Sequence, residues 1–266
     1  MTHPEIAITR VDGVATVQIR RPPHNYFDPP LVAALAAAAL DLSAQADVRC
    51  LVICAEGRSF CAGANFATST RRAANPPADE ARDPVSWRPG HIYEDAARLF
   101  DVEVPMVAAV QGAAIGGGLG LALACDFRIG TPRTRFVANF AGLGIHHGFG
   151  ISASLPRVVG PQHAARMLLT GKEIQGEEAL SIGLLDELVP EDELGSAADQ
   201  MAHSIARLAP LAVRSIKRTL RGGLRAEVLT AIDREINEQT WLFRTADHKE
   251  GIAALSQKRL PDFRGR

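Results

Sequence analysis

Several function classes are excluded by what this sequence lacks. It holds four cysteines, Cys50, Cys54, Cys61 and Cys125, and no two share a CxxC spacing. Thiols in strand-like apolar surroundings read as packed and reduced rather than as a disulfide framework, which points to the cytoplasm. The opening MTHPEIAITR has no apolar core of the kind a secretory signal needs. The longest apolar run, Leu31–Leu40, is alanine-rich and too short to span a bilayer. A formal net charge of −1 leaves no basic excess for nucleic acid or an anionic membrane, so neither is expected as a partner.

The common ligand motifs are missing as well. A GxGxxG fingerprint begun at Gly116 needs glycine at position 121, where Leu121 stands, and no acidic residue ends a strand at the required distance. Gly171-Lys172 lacks the glycine before it and the Ser or Thr after it that a phosphate loop requires. The run GISAS is not a GxSxG nucleophile elbow, and His146-His147 has no partner pattern for a metal.

What remains is a chain of 266 residues, 47% hydrophobic and 22% charged, long enough to bury a substantial core. Ile6–Ile19 predicts a hairpin turning at Asp12-Gly13. The prolines of Arg21–Phe27 forbid helix there, after which Asp28 caps and Pro29 opens a helix covering Leu31–Gln45. Cys50–Cys54 reads as a strand, followed by the glycine-punctuated loop Gly57–Phe66. Thr68–Gly90 has no apolar period and reads as a lid or a disordered stretch. A helix at His91–Phe100, strands at Val104–Val110, Phe127–Ile129 and Arg135–Phe140, and a second glycine loop at Gly142–Gly150 follow. Helices are then expected from Ile151 and from Pro161 to Gly171, with a short one at Gln175–Gly183 before a strand at Leu184–Val189. From Glu193 the pattern is helical, with Pro210 opening one helix, Gly222-Gly223 breaking it, and Leu224–Phe243 forming the next. A capping box of Asp247 and Glu250 is expected to start the last helix.

The stretch Gln111–Asp126, QGAAIGGGLGLALACD, organises the rest. The strand before it is expected to run into three glycines that open a buried helix. Glycine lets backbone N–H groups approach a ligand closely, and the first N–H groups of a helix have no internal partner. Such a junction is either an oxyanion hole or a tight turn packed with glycine.

Together, GRSFCAGAN and QGAAIGGGLG resemble the paired loops of the crotonase superfamily, which includes enoyl-CoA hydratases and isomerases. The resemblance continues through LALACDFRI, through LPRVVGPQHAARMLLTGKEIQGEEALSIGLLDELVP, and into TADHKEGIAALSQKRLPDF. It implies an α/β crotonase (ClpP/crotonase-like) fold, a spiral of ββα units with two near-perpendicular sheets in residues 1–192. Residues 193–266 would form a helical region that drives assembly into a homotrimer or a hexamer of paired trimers. The implied substrate is an acyl-CoA thioester, with coenzyme A entering as part of the substrate and no separate cofactor. The thioester oxygen would lie between the N–H groups of Ala64 and Gly117. The coenzyme would follow Arg20, His24 and Tyr26 and the loop at Ala62, with Lys258 and Phe263 covering the adenine of a neighbouring subunit.

The same resemblance exposes departures. Hydratases of the superfamily use two glutamates, and their positions fall on Gly120 and Phe140. The aspartate nucleophile of its dehalogenases falls on Gly148, and the aspartate common after AGA is Asn65. Hydration and covalent dehalogenation are therefore disfavoured, and isomerisation or other enolate chemistry is expected, or binding of acyl-CoA without catalysis. His146 and His147, of a side-chain type suited to proton transfer near pH 7, are the candidate replacements for the lost acids. His91, Tyr93 and Glu94 open the helix expected to border the acyl pocket.

Overall fold

The computed structural model of the chain describes residues 3–65 and 89–266. β1 (Ile6–Val11) and β2 (Val14–Ile19) form the expected hairpin, with Val11 opposite Val14 and positive φ at both Asp12 and Gly13. That is the turn whose twist matches two antiparallel strands. Asp28 caps α1 (Pro29–Ser43), its carboxylate accepting from Leu31 N–H at 3.0 Å. β3 (Cys50–Ala55) then joins β2 in parallel.

The next turns build the spiral. α2 (Pro89–Arg98) leads into β4 (Met106–Val110), every residue of which is buried, as befits a parallel strand covered on both faces. The chain does not run from β4 directly into a helix. It turns a corner at Gln111-Gly112 and forms a short strand, β5 (Ala113–Ile115), in a second sheet before α3 (Gly117–Ala124) begins. The corner requires glycine: Gly112 has φ +56, and a Cβ there would lie 2.0 Å from the Arg58 carbonyl oxygen. β6 (Phe127–Gly130) returns to the first sheet and β7 (Arg135–Val137) to the second. β7 is shorter than the expected Arg135–Phe140 because the chain turns into a 3-10 helix at Ala141–Leu143.

α4 (Ile151–Thr170) is kinked at Gly160, where the second expected helix starts. β8 (Ile174–Gln175), α5 (Gly176–Ser181) and β9 (Glu187–Leu188) follow. β9 is a two-residue remnant of the strand expected over Leu184–Val189. The first sheet runs β1-β2-β3-β4-β6-β9 and the second β5-β7-β8. Single bridges at Phe27–Ala64 and Cys61–Ala114 extend the same two-sheet alternation to the earlier turns.

The C-terminal helices are α6 (Leu194–Ala206), α7 (Pro210–Leu220), α8 (Leu224–Leu242) and α9 (Ala246–Gln257). α7 is fastened to the core by charge. Asp126 Oδ2 accepts from Lys217 Nζ at 2.7 Å and from Met106 N–H at 2.8 Å, and Asp126 Oδ1 pairs with Arg221 Nε at 2.7 Å. The cap of α9 is Thr245, whose hydroxyl accepts from His248 N–H at 3.1 Å, rather than the expected Asp247–Glu250 box. Asp247 instead accepts from the N–H groups of Arg264 and Gly265 and holds the tail. All four cysteines are free, and among the described residues no helix is long and apolar enough to cross a membrane. The expected lid or disordered stretch, Thr68–Gly90, lies outside the described residues, except that Pro89 and Gly90 already belong to α2.

Candidate active site

The two glycine loops are pressed together backbone on backbone. Phe60 N–H donates to the Gln111 carbonyl, Cys61 N–H to Ala113, and Ile115 N–H to Cys61. A Cβ on Gly118 would lie 2.0 Å from the Cys61 carbonyl oxygen, so no larger residue fits without moving main chain. This approach brings Ala64 and Gly117 to the wall of one small cavity of ≈ 70 Å³. The remaining wall is largely apolar, with Phe27, Phe140, Phe149 and Ile145 among its residues. Gly117 is the first residue of α3, and Gly116 before it donates to Val137, not to the cavity. Neither Ala64 N–H nor Gly117 N–H finds an acceptor among the described residues. Two main-chain donors left open beside an apolar cavity can hold an oxygen that gains negative charge.

The chain's match to known proteins agrees with this geometry. The profile for enoyl-CoA hydratase/isomerase matches residues 9–266. The chain belongs to the enoyl-CoA hydratase/isomerase family. It is 34% identical to the crotonyl-CoA hydratase of Syntrophomonas wolfei, over 99% of both chains. It is 29% identical to the 1,2-epoxyphenylacetyl-CoA isomerase of Escherichia coli, covering 98% of this chain and 99% of that one. Among solved structures, an enoyl-CoA hydratase/isomerase from Pseudoalteromonas atlantica superposes with a TM-score of 0.84 at 29% identity, covering 98% of this chain and all of the other. The crotonase fold is thereby established.

Within this family member, the positions to which the resemblance assigns the hydratase glutamates are closed by aromatic rings. A Cβ on Gly120 would fall 2.5–2.7 Å from three atoms of Phe149, which is buried and held at φ +68. The Phe149 ring stacks on Phe27 at 6.0 Å between centroids. The buried Phe140 ring approaches to 3.5 Å of where a Gly116 Cβ would stand. At the position assigned to the dehalogenase aspartate, a Gly148 Cβ would lie 2.2 Å from the Tyr93 hydroxyl oxygen. Tyr93, on α2, thus fills the space that a side chain at 148 would need.

The expected histidines lie beside the cavity but not among its lining residues. His146 Nδ1 donates to the His147 carbonyl at 2.8 Å, and the two imidazoles stack at 4.1 Å. His147 packs edge-on against Phe140, and its Nε2 meets Ser152 Oγ at 2.8 Å. Ser152 Oγ donates to Glu235 Oε1 at 2.7 Å, so Nε2 must carry the proton in its own contact. Burial, reinforced by His146, brings the His147 pKa down to about 3, which keeps the ring neutral at physiological pH.

Sequence reasoning missed the residues that hold this loop, Glu235 and Gln239 on α8. Glu235 is fully buried and accepts from Gly150 N–H, Ser152 N–H and Ser152 Oγ, while burial raises its carboxyl above the ordinary range. Gln239 donates to the His146 carbonyl at 2.7 Å and pairs with Tyr93. The signal was present: Leu224, Val228, Ile232, Glu235 and Gln239 continue one buried stripe, so two polar residues on it must find partners inside. Gln239 and Phe243, from the C-terminal helical region, also line the cavity.

The loops expected to carry the coenzyme are brought together. Buried Asn25 donates to the carbonyls of Glu56 and Ser59, and Ala62 N–H donates to the His24 carbonyl. His24 Nδ1 lies 3.2 Å from Ser59 Oγ, and Tyr26 packs edge-on to His24. Exposed Arg20 pairs with Glu56 at 2.9 Å. Lys258 closes α9 in a left-handed conformation and, like Phe263, is exposed on the far C-terminal segment. The side chain of His91 lies outside what the structure describes, and Glu94 is exposed and absent from the cavity wall.

Proposed function

We propose that this chain binds an acyl-CoA thioester and stabilises an enolate at its carbonyl between the N–H groups of Ala64 and Gly117. The observation that carries this reading is the pair of amides, without an acceptor among the described residues, meeting at one apolar cavity. Removal of a single donor of this kind typically lowers turnover by ~10²–10³-fold, so a pair is a substantial catalytic device. Water addition is disfavoured, since the Phe149 ring and Phe140 occupy what would be the carboxylate positions. Double-bond isomerisation, or another reaction through the same enolate, fits the site better. The relatives named above include both a hydratase and an isomerase, in keeping with one oxyanion device serving several outcomes. Arg20, His24, Tyr26 and Ala62 would follow the coenzyme. Lys258 and Phe263 would act across a subunit boundary in a trimer or pair of trimers, consistent with the exposed Leu211, Ile216 and Leu220 on α7.

Two assays test the proposal. Deuterium exchange at the α-carbon of butyryl-CoA is expected to proceed, while crotonyl-CoA absorbance, which reports hydration, stays near its uncatalysed rate. Exchange that persists after replacing both His146 and His147 with alanine assigns proton handling to another group. Binding with neither reaction supports the second reading, an acyl-CoA-binding family member without catalysis, which the aromatic infill of both carboxylate positions favours.

Restoring one glutamate should not rescue hydration. Gly120→Glu is expected to lower stability by about 1–3 kcal/mol, because its Cβ enters space held by Phe149. Hydration should appear only when Gly120→Glu and Phe140→Glu are combined with Phe149→Gly, which frees that space and also suits the positive φ. A single Gly120→Glu variant that melts with the parent and hydrates crotonyl-CoA would contradict this account.

A further inference from the structure

The cavity wall contains only three polar side chains among its described residues, Tyr93, Asn139 and Gln239. Two of them form a pair with spare capacity. The Tyr93 hydroxyl lies 3.0 Å from Gln239 Oε1 and 2.9 Å from Gln239 Nε2. One hydroxyl straddling both ends of a carboxamide cannot align with both at once. The amide's orientation is fixed, because Nε2 also donates to the His146 carbonyl at 2.7 Å. Its two protons are then committed to that carbonyl and to the Tyr93 oxygen. Oε1 keeps an acceptor position that Tyr93 O–H fills only in poor alignment.

We propose that Tyr93 and Gln239 select a hydroxyl group on the acyl chain. The arriving hydroxyl accepts from Tyr93 O–H and donates to Gln239 Oε1, while Nε2 continues to donate to the Tyr93 oxygen. Every donor and acceptor of the pair is then satisfied. A ketone oxygen would leave Oε1 without a donor, and a plain alkyl chain would leave the pair bonded only within itself and to the His146 carbonyl. Because burial raises the Tyr93 phenol pKa, the group stays protonated and serves as a donor rather than a base. The pair is placed to stay put: Tyr93 is wedged against Gly148, and Gln239 is buried on α8 beside the Glu235 anchor.

This inference rests on the acyl-CoA reading, and the test separates the two. Calorimetry would compare butyryl-CoA, 3-hydroxybutyryl-CoA and 4-hydroxybutyryl-CoA with the wild-type chain and with Tyr93→Phe, whose fold is checked by its melting curve. At least one hydroxy ligand is expected to bind about tenfold or more tightly than butyryl-CoA, and Tyr93→Phe should erase that advantage. Firm but equal binding of all three by the wild type overturns the hydroxyl selection alone, and so does a preference that survives Tyr93→Phe. No binding of any acyl-CoA overturns the acyl-CoA reading and this inference with it. Should the variant fail to fold, the wild-type comparison decides by itself.

Discussion

Gly117→Pro is expected to slow α-proton exchange in butyryl-CoA by ~10²–10³-fold while leaving the fold in place. Gly117 is the first residue of α3, a position whose N–H has no partner within the helix. Proline is well tolerated there for the same reason, since the bond it forfeits is one the helix never makes. The variant therefore removes a single oxyanion donor with little effect on helix formation. The Cβ of the new ring would lie 3.2 Å from Phe27 Cδ2, so that side chain must shift by a few tenths of an ångström. Exchange rate and melting midpoint are measured together. If exchange continues within a few-fold of the parent in a well-folded variant, Gly117 N–H does not hold the thioester oxygen.

Asp126→Ala carries the largest expected effect on stability, about 3–5 kcal/mol. Its carboxylate is the partner of Lys217, which is only 9% exposed, and it also receives Arg221 and the Met106 N–H. Burial lowers the Lys217 pKa and Asp126 opposes that shift, so removing the aspartate leaves a buried cation with the Val104 carbonyl but without its counter-charge, and with Arg221 repelling it. For a chain of this size the melting midpoint should fall by about 10 °C. Lys217→Met added to Asp126→Ala should recover a good part of the loss, because the stranded charge goes with it. Equal melting of the single and double variants would show that the pair is not what fastens α7.

Much of the fold was legible because local chemistry fixes it. The hairpin follows from Asp12-Gly13, the start of α1 from Asp28 and Pro29, and the breaks at Gly160 and Gly223 from glycine in left-handed backbone. The two glycine loops were legible in the same way, since glycines at 63, 112 and 118 are demanded by carbonyl oxygens 2.0–2.7 Å from where a Cβ would stand. β5 was not legible: Ala113–Ile115 is three residues long, and only its pairing with Arg135–Val137 makes it a strand. Nor was the cap of α9, where Thr245 and Asp247 both fit the pattern and only the returning tail, which engages Asp247, separates them. The polar end of the cavity was hidden for a different reason. Tyr93 was among the residues expected at the acyl pocket, but its partner Gln239 is 146 positions away and sits in no motif. Phe149 was hidden too, because the side chain that fills the space beside Gly120 comes from another loop.

The hold that Glu235 and Gln239 exert on the segment from His146 to Ser152 divides labour along the chain. Under the proposed function, charge stabilisation falls to glycine loops ending by residue 118, where backbone crowding allows almost no variation. The selection proposed for the acyl chain falls instead to side chains outside those loops, Tyr93 on α2 and Gln239 on a helix more than a hundred residues later. A protein so arranged can change what it accepts while keeping how it activates it.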